Sequence, residues 1–420
     1  MSRWNWNPAP TVDADHAAER PEGAAVSGVP AAARVAIAMS GGLDSSVVAA
    51  LYAEQGRPAI GLSMLLWDAV QTPRNGRCCG ALDLGDARVV AEQVGIPHYT
   101  LRLDEEFRQR VVDPFVRDYL EGRTPSPCVR CNTFVKFDLL LERAAALGAA
   151  KVATGHYARI VPGDGSRRGE LELHRARDLS EAQSYFLFVL DQQQLAAVES
   201  PLGELTKTEV RALAARAGLV VAGKGESMEV CFVGSGVREF VEQQVRLRPE
   251  LAASAAGEGA EPANEGAEVS TRDGRVLGRA EPYYRYTVGQ RRGLGIAAPE
   301  PLYVLGVEPR ANRVVVGGRE DLLAEGLLGE RLHWIGSDLE AATRDEVTVR
   351  IRSRHEGVAA RVRPLGDGRV AVRFASPQSA VAPGQAAVFY RGSRVLGGCW
   401  IERAARGAEL AAGAASWGVG

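Results

Sequence analysis

Large and small apolar residues alternate in the first strongly hydrophobic stretch of the chain. In residues 34–46, RVAIAMSGGLDSS, Val35, Ile37 and Met39 alternate with alanines, which predicts a short buried parallel strand. Ser40, Gly41 and Gly42 break the pattern, and SSVVAALYAEQ then runs at helical spacing. The stretch therefore reads as strand, glycine turn, helix. The alternation continues: residues 59–66 and 98–103 are strand-like, 83–94 and 104–120 helical, and 151–153 a short strand ending in TGHY. Strands alternating with helices predict an α/β fold with a doubly wound parallel sheet. Ligands of such sheets bind beyond the strand C-termini. Three segments fall there: residues 40–46, Met64 and Gly155–His156. At His156 the structural and functional readings are evenly matched.

Between two helical patterns lies GRTPSPCVRCNTFVKF, residues 122–137. Pro125 and Pro127 predict a loop, with a helix resuming over 132–147. Cys131 would then lie near a helix N-terminus, where the dipole favours thiolate. A hairpin is expected over 157–161 and 170–174, and a helix over 206–217 with Thr206 and Glu209 at capping-box spacing. Cys231 follows in GKGESMEVCFVGSG, an apolar strand-like setting. Residues 249–268 are rich in Ala, Gly and Glu and read as a disordered acidic insertion. Short strands and turns from Leu302 to about Glu402 predict a small antiparallel barrel. The expected organisation is a disordered tail 1–33, a catalytic domain 34–224, a central β-rich domain 225–300, a C-terminal barrel 301–405 and a tail 406–420.

Composition adds limits. A chain of 420 residues suits two or three domains, and 46% hydrophobic residues support real cores. The formal net charge of −2 gives no global attraction to nucleic acid, so RNA binding would need a local basic patch. Arg350, Arg352 and Arg354 at period two, with Arg361 and Arg363 as a second row, form one candidate; Arg285, Arg291 and Arg292 form a smaller cluster. No apolar run reaches the ~18 residues of a membrane span, and no secretory leader pattern opens the chain. Six cysteines, Cys78, Cys79, Cys128, Cys131, Cys231 and Cys399, are too sparse for a disulfide scaffold and suit a reducing cytoplasm.

The candidate chemistry centres on two motifs. Two adjacent glycines let successive N–H groups converge on one point, and the helix behind them adds positive potential. With Ser40, Ser45 and Ser46 this makes an anion cradle suited to phosphates. It is neither a Walker A loop nor a GxGxxG site. The second motif, Cys128-x-x-Cys131, reads equally as a redox pair, half a zinc site or a cluster ligand pair. Without a second such pair, a closed zinc site is not expected. Cys231 by itself reads as a small buried hydrophobe.

The SGGxDS spacing resembles the PP-loop of the ATP pyrophosphatases. With GRTPSPCVRCNTFVKF, VATGHYARI (152–160), QSYFLF (183–188), EVCFVG (229–234), YTVGQRRGLGI (286–296) and APGQAAVFY (382–390), the chain from Arg34 to Glu402 resembles the tRNA-specific 2-thiouridylases of bacteria and organelles. The resemblance implies ATP binding by Ala38, Met39, Ser40, Gly41, Gly42, Leu43, Asp44, Ser45, Met64 and Gly155, with Mg²⁺ near Asp44. It implies Cys131 as nucleophile and Cys231 as persulfide carrier. Ser126, Pro127 and Cys128 would face the target uridine, and His156 and Gln385 would approach the tRNA or that base. Glu181, Ala182, Gln183, Arg352 and Ser353 would lie against the tRNA. The implied partners are tRNA, modified at the wobble uridine of Lys, Glu and Gln acceptors, and a cysteine desulfurase or sulfur-relay protein.

The implied reaction is ATP-dependent adenylation of the uridine 2-oxygen, then sulfur transfer from the persulfide, releasing AMP and pyrophosphate. The alternative is an iron–sulfur cluster held by Cys128, Cys131 and Cys231. Some family members carry Asp where Cys128 stands and often Lys where Glu181 stands, and GRAEP (278–282) lacks the family's G-x-H-x-G element. Two other classes stay in view: a PP-loop synthetase acting on a small molecule, and an RNA-binding protein with a relic ATP site.

Overall fold

The computed structural model describes residues 34–67, 81–225, 230–234, 236–252, 266–339 and 344–411. The expected N-terminal tail, Cys78 and Cys79, the interior of the acidic insertion and residues 412–420 lie outside them.

Strands β1 (Val35–Ala38), β2 (Ala59–Leu65), β3 (His98–Arg102) and β4 (Lys151–Ala153) form one sheet with β7 (Val198–Glu199); between β4 and β7 the chain makes β5 (Ala158–Pro162) and β6 (Leu171–Arg175). The sheet order is β3-β2-β1-β4-β7 and every pairing is parallel. The edge strand β7, two residues long, was not legible in the sequence. The large-and-small alternation of β1 divides two cores. Val35, Ile37 and Met39 pack with Val47, Val48 and Tyr52 of the helix Leu43–Glu54 on one face. Ala36 goes to the other face, with Ile60, Leu62 and Met64 of β2. Burying each Val, Ile or Leu there contributes about 1.5–3 kcal/mol.

On the second face lie two long helices, residues 104–120 and 127–146, each with a π-helical stretch, at Arg108–Val112 and Asn132–Leu139. The second helix corrects the expected boundary. It opens at Pro127, behind Ser126, because a proline in the first turn gives up an N–H that would have no partner anyway. Cys128, not Cys131, thus occupies the helix N-terminus. The helix Lys207–Arg216 carries the expected capping box between Thr206 and Glu209, with both reciprocal bonds formed.

The strands Tyr303–Glu308 (β10) and Arg313–Gly317 (β11), expected in the barrel, pair instead with β8 (Glu268–Thr271) and β9 (Val276–Arg279) in a separate sheet of order β10-β11-β8-β9. β11 runs parallel to β8 while the other pairs are antiparallel. Both described ends of the expected insertion are packed: Leu251 and Ala267 are buried. A strand absent from the sequence reading, β12 (Leu323–Trp334), joins β13 (Val347–Arg350), β14 (Val358–Gly366), β15 (Arg369–Ser379), β16 (Ala386–Arg391) and β17 (Arg394–Ala405). Pairing of β12 with both β15 and β17 closes these six strands into an antiparallel barrel. Closure leaves no exposed edge. The first residues of the expected C-terminal tail form a short helix, Gly407–Ala411, whose Leu410 is buried against Leu328 and Ala371.

The expected hairpin exists as β5–β6, and it crosses between units. His174 and Leu173 of β6 pair with Arg394 and Val395 of β17, so the hairpin extends the barrel wall. Arg394 is buried and bonds Asp338 at 3.0 Å.

Candidate active site

The phosphate loop follows β1 as the alternation predicts. Gly41 has φ +71°, and a Cβ there would collide with the backbone carbonyl of Asp83; only glycine fits on both counts. Gly42 caps the helix Leu43–Glu54. The serines brace the turn: Ser40 N–H donates to Ser45 Oγ (3.2 Å), and Ser46 Oγ donates to the Gly42 carbonyl (2.8 Å). Gly155 lies against the same turn, where a Cβ would come within 2.9 Å of Ser45 N. Ala38 is half-buried, while Met39 and Leu43 are buried in the core under the loop. Met64 is buried on the opposite face of the sheet.

Asp44 is tied to two residues that the sequence reading did not single out. Lys207 Nζ bonds both its carboxylate oxygens at 3.0 Å, and Tyr157 Oη donates to Oδ1 at 3.0 Å. A signal for Lys207 was present: a lysine in the first turn of a helix opposes the macrodipole, so its position calls for a local anion. Glu181 reaches Lys207 at 3.7 Å. Gln183 exchanges two bonds with Tyr157: its Oε1 accepts from Tyr157 N–H at 3.0 Å, and its N–H donates to the Tyr157 carbonyl at 2.9 Å. Ala182 packs on the same core. Through Lys207 and Tyr157, Glu181 and Gln183 thus connect to Asp44 of the phosphate loop. Lys224, in the GKGES stretch, was also missed; its Nζ bonds Gly41 O, Asp83 and Asp86.

The two cysteines of C-x-x-C differ sharply. Cys128 is exposed, while Cys131 is buried at 9% exposure in the apolar cluster that also holds Val135, Phe115 and Phe232. Burial pushes the Cys131 thiol up to about 11, against the thiolate-favouring site expected from the sequence. Lys136, one π-helical turn on, works in the other direction by favouring thiolate. Cys231 is half-buried and packs against the same apolar cluster as Cys131 and Met64, and neither cysteine is in a disulfide. It sits in a turn rather than a strand. Its neighbour Phe232 is buried among Phe107, Phe115 and Phe240, with ring centroids 5.1–5.5 Å apart. That insertion fixes where the Cys231 backbone runs. Among the described residues no group of three or more His, Cys, Asp or Glu is arranged to hold a metal ion; Cys128, Cys131 and Cys231 do not form a cluster site here. Mg²⁺ is different: the Asp44 carboxylate beside the phosphate loop is the hard oxygen donor that ion prefers.

His156 stacks near Phe137 (5.7 Å between ring centroids) and bonds Thr154 Oγ1 through Nδ1 at 3.0 Å. Burial first, then Lys136, hold its imidazole well below the usual value, so it is neutral at pH 7. Ser126 and Pro127 are buried, and the barrel holds the loop before them. Gln385 Nε2 donates to the carbonyls of Thr124 (2.9 Å) and Pro125 (3.2 Å), and Thr124 N–H donates to the Pro383 carbonyl at 2.7 Å. Gln385, expected at the tRNA, thus holds the cysteine loop through its amide nitrogen.

The barrel arginines divide. Only Arg350 is on β13, and its guanidinium is turned onto the carbonyls of Ser353 and His355. Arg352 and Arg354 are exposed in the turn beyond. Arg361 and Arg363 do share the outer face of β14, on either side of buried Val362. Arg361 stands opposite Arg373 of β15, a third residue the sequence rows did not link. In the smaller cluster, Arg285 is paired with Glu242 and Glu281, leaving Arg291 and Arg292 exposed.

Three family models match along the chain. They are described as a tRNA methyl transferase HUP domain (residues 33–235), a tRNA methyl transferase PRC-barrel domain (260–318) and an aminomethyltransferase β-barrel domain (324–401). Among curated proteins, the tRNA-specific 2-thiouridylase MnmA of Geotalea uraniireducens is 48% identical over 377 residues, covering 88% of this chain and 95% of that protein. MnmA of Geobacter metallireducens is 49% identical over 378 residues, covering 88% and 97%. That of Rickettsia akari is 42% identical over 370 residues, covering 88% and 96%. Of solved structures, the U34-tRNA thiolase NcsA of Methanococcus maripaludis with its [4Fe-4S] cluster aligns at TM-score 0.30 and 18% identity, over 53% of this chain and 68% of that one.

Proposed function

The chain belongs to the tRNA-specific 2-thiouridylase family, and on that premise we propose that it thiolates the 2-position of the tRNA wobble uridine through a persulfide on Cys231. The observation that carries this is the shared setting of the parts: a phosphate loop at the end of β1, with Met64, Cys131 and Cys231 gathered in one apolar cluster across the same sheet.

The uridine 2-oxygen is a poor leaving group. It attacks the α-phosphorus of ATP, and pyrophosphate departs into the cradle of Gly41, Gly42 and Ser45, whose N–H groups and helix N-terminus stabilise its charge. Asp44 would hold Mg²⁺ there, and the ion would supply further charge neutralisation. For Asp44 to take that role, Lys207 must exchange its carboxylate for phosphate oxygens. The terminal sulfur of the Cys231 persulfide then attacks C2, and AMP leaves with the former 2-oxygen. Cys131 thiolate attacks Cys231 Sγ; the S–S electron pair stays with the sulfur on C2, giving 2-thiouridine and a Cys131–Cys231 disulfide. A cellular dithiol returns two electrons and reduces it. Neutral His156 and exposed Cys128 serve as base contacts. The anticodon presents its base unpaired, which lowers the cost of extraction. Arg352, Ser353, Arg361 and Arg373 contact tRNA phosphates. The sulfur donor is a cysteine desulfurase or relay protein, and the setting is the cytoplasm, where the dithiol is available.

Methyl transfer, the word in two of the family descriptions, calls for neither a phosphate cradle nor a thiol pair. The deciding experiment incubates the protein with ATP, a cysteine desulfurase, cysteine and transcript tRNA. 2-Thiouridine by nucleoside mass spectrometry, with one AMP per thiolated base, is the expected result. ATP consumption without 2-thiouridine overturns it.

A further inference from the structure

We propose that Arg130 centres a second phosphate-binding subsite, between the cysteine-loop helix and the barrel, for a backbone phosphate of the tRNA close to the base being modified. This rests on the reading of tRNA as the substrate.

Arg130 stands in the helical turn Pro127–Cys131 that also carries Cys128. Its Nε donates to the Arg110 carbonyl at 3.0 Å, and its guanidinium lies 5.3 Å from the centre of the Phe134 ring. These contacts orient the group and leave its two terminal nitrogens without a hydrogen-bond partner among the described residues. The residue is half-buried. Burial pushes the guanidinium down to about 10; Asp118 opposes that shift, while Arg331 and Arg117 add to it. The group therefore stays charged at pH 7 but is poorly solvated. A planar fork of N–H donors in that state is matched by the oxygens of a phosphate.

The surroundings gather positive charge from three parts of the chain. Glu330 Oε1 accepts from Arg123 at 3.2 Å and from Arg331 at 3.3 Å, so one carboxylate draws two guanidinium groups together. Arg123 also approaches Glu121 at 3.6 Å. Asp118 lies within electrostatic reach of Arg130, Arg123 and Arg331, yet among the described residues none of them donates a hydrogen bond to it. Arg117, Arg123, Arg130 and Arg331 thus exceed Asp118, Glu121 and Glu330 by one positive charge. Arg331 joins the cluster from irregular backbone. It has φ +53° and lies in β12 where pairing with β17 slips between Glu330 and His333. A bulge re-aims the side chain it carries. The left-handed conformation costs a residue with a Cβ about 1 kcal/mol, and such conformations cluster at functional sites. The phosphate loop after β1 serves the ATP phosphates, so the source of phosphate here is the RNA backbone, which carries one negative charge per nucleotide along the strand that presents the base.

The test is filter binding of transcript tRNA to the full chain across a salt series, without ATP or a sulfur source. Arg130→Gln should weaken binding about tenfold and lower the log–log salt slope by about 0.7, the value for one single-strand phosphate contact. Arg130→Lys, which keeps the charge, should recover most of the slope. Arg88→Gln removes the same charge from the helix Ala81–Val94 on the other face of the sheet and should bind within about twofold of wild type. Asp118→Asn gives the sign: a carboxylate that competes with phosphate for Arg130 is lost, so tRNA should bind about twofold tighter or better. That variant decides the matter should Arg130→Gln not fold. Unchanged affinity and slope in Arg130→Gln, or weaker binding in Asp118→Asn, overturns the subsite and makes Arg130 and Asp118 a structural pair. Wild-type protein that binds no tRNA overturns the thiolation reading as well, so the two failures are told apart.

Discussion

The phosphate loop and the cysteine loop are both turns that open a helix, but they are held in opposite ways. The first is fixed by its own backbone. Gly41 alone tolerates its φ and its neighbour, and Ser40, Ser45 and Ser46 bond within the turn. The second is fixed from outside. Gln385 and Pro383 of the barrel, more than 250 residues away, bond Thr124 and Pro125, and the thiol it presents is buried in an apolar cluster to which other segments contribute. A locally determined site can be read from a motif. One clamped by distant chain can be recognised in sequence, yet its geometry cannot be built from it.

The harshest way to break the comparison is Gly41→Ala. A positive φ costs about 1 kcal/mol for a Cβ-bearing residue, and the collision with Asp83 adds to it. ATP binding should be lost and thiolation should fall more than about 100-fold, while tRNA affinity in a filter-binding assay holds. Retained ATP affinity would mean the loop is not fixed as described. A milder break is Gln385→Ala, which removes two bonds worth about 1–3 kcal/mol together. Thiolation should fall about tenfold, ATP affinity should stay, and Cys131 should alkylate faster as its loop loosens. Unchanged Cys131 reactivity would show that the clamp is not needed.

A finer measurement sharpens the contrast between the two cysteines. Burial pushes the Cys131 thiol up to about 11 in the folded protein. A raised thiol value means the protonated form is favoured, so its thiolate fraction and alkylation rate should climb tenfold per pH unit from 7 to 9 without a plateau. Exposed Cys128 should react first at every pH. A Cys131 plateau below pH 9 would contradict the buried thiol.

The same contrast explains what the sequence concealed. The parallel sheet was legible because β1 and β2 carry their own periodicity. Strands β10 and β11 looked like barrel strands because alternation reports a strand but not its partner; only pairing with β8 and β9 assigns them. β12 was hidden by Glu325, Gly326, Gly329 and Glu330, which interrupt its apolar run. Cys131 was misjudged because the helix start moved to Pro127, and because burial, supplied by residues far along the chain, outweighed the dipole. Arg350 read as a member of a charge row, although its strand ends there and its guanidinium folds back on the next turn. Lys207 and Lys224 were overlooked because a lone lysine is ordinarily surface; what marks them is the carboxylates they meet.

The central claim is that sulfur reaches the base through Cys231 and leaves a bond to Cys131. The direct test is a single turnover with persulfidated protein, ATP and tRNA, without reductant, followed by peptide mapping. The account predicts one Cys131–Cys231 disulfide per 2-thiouridine formed, with Cys128→Ser still active and Cys131→Ser inactive. Thiouridine formed while Cys131 and Cys231 remain free thiols, with activity lost in Cys128→Ser and iron bound in proportion, would contradict it.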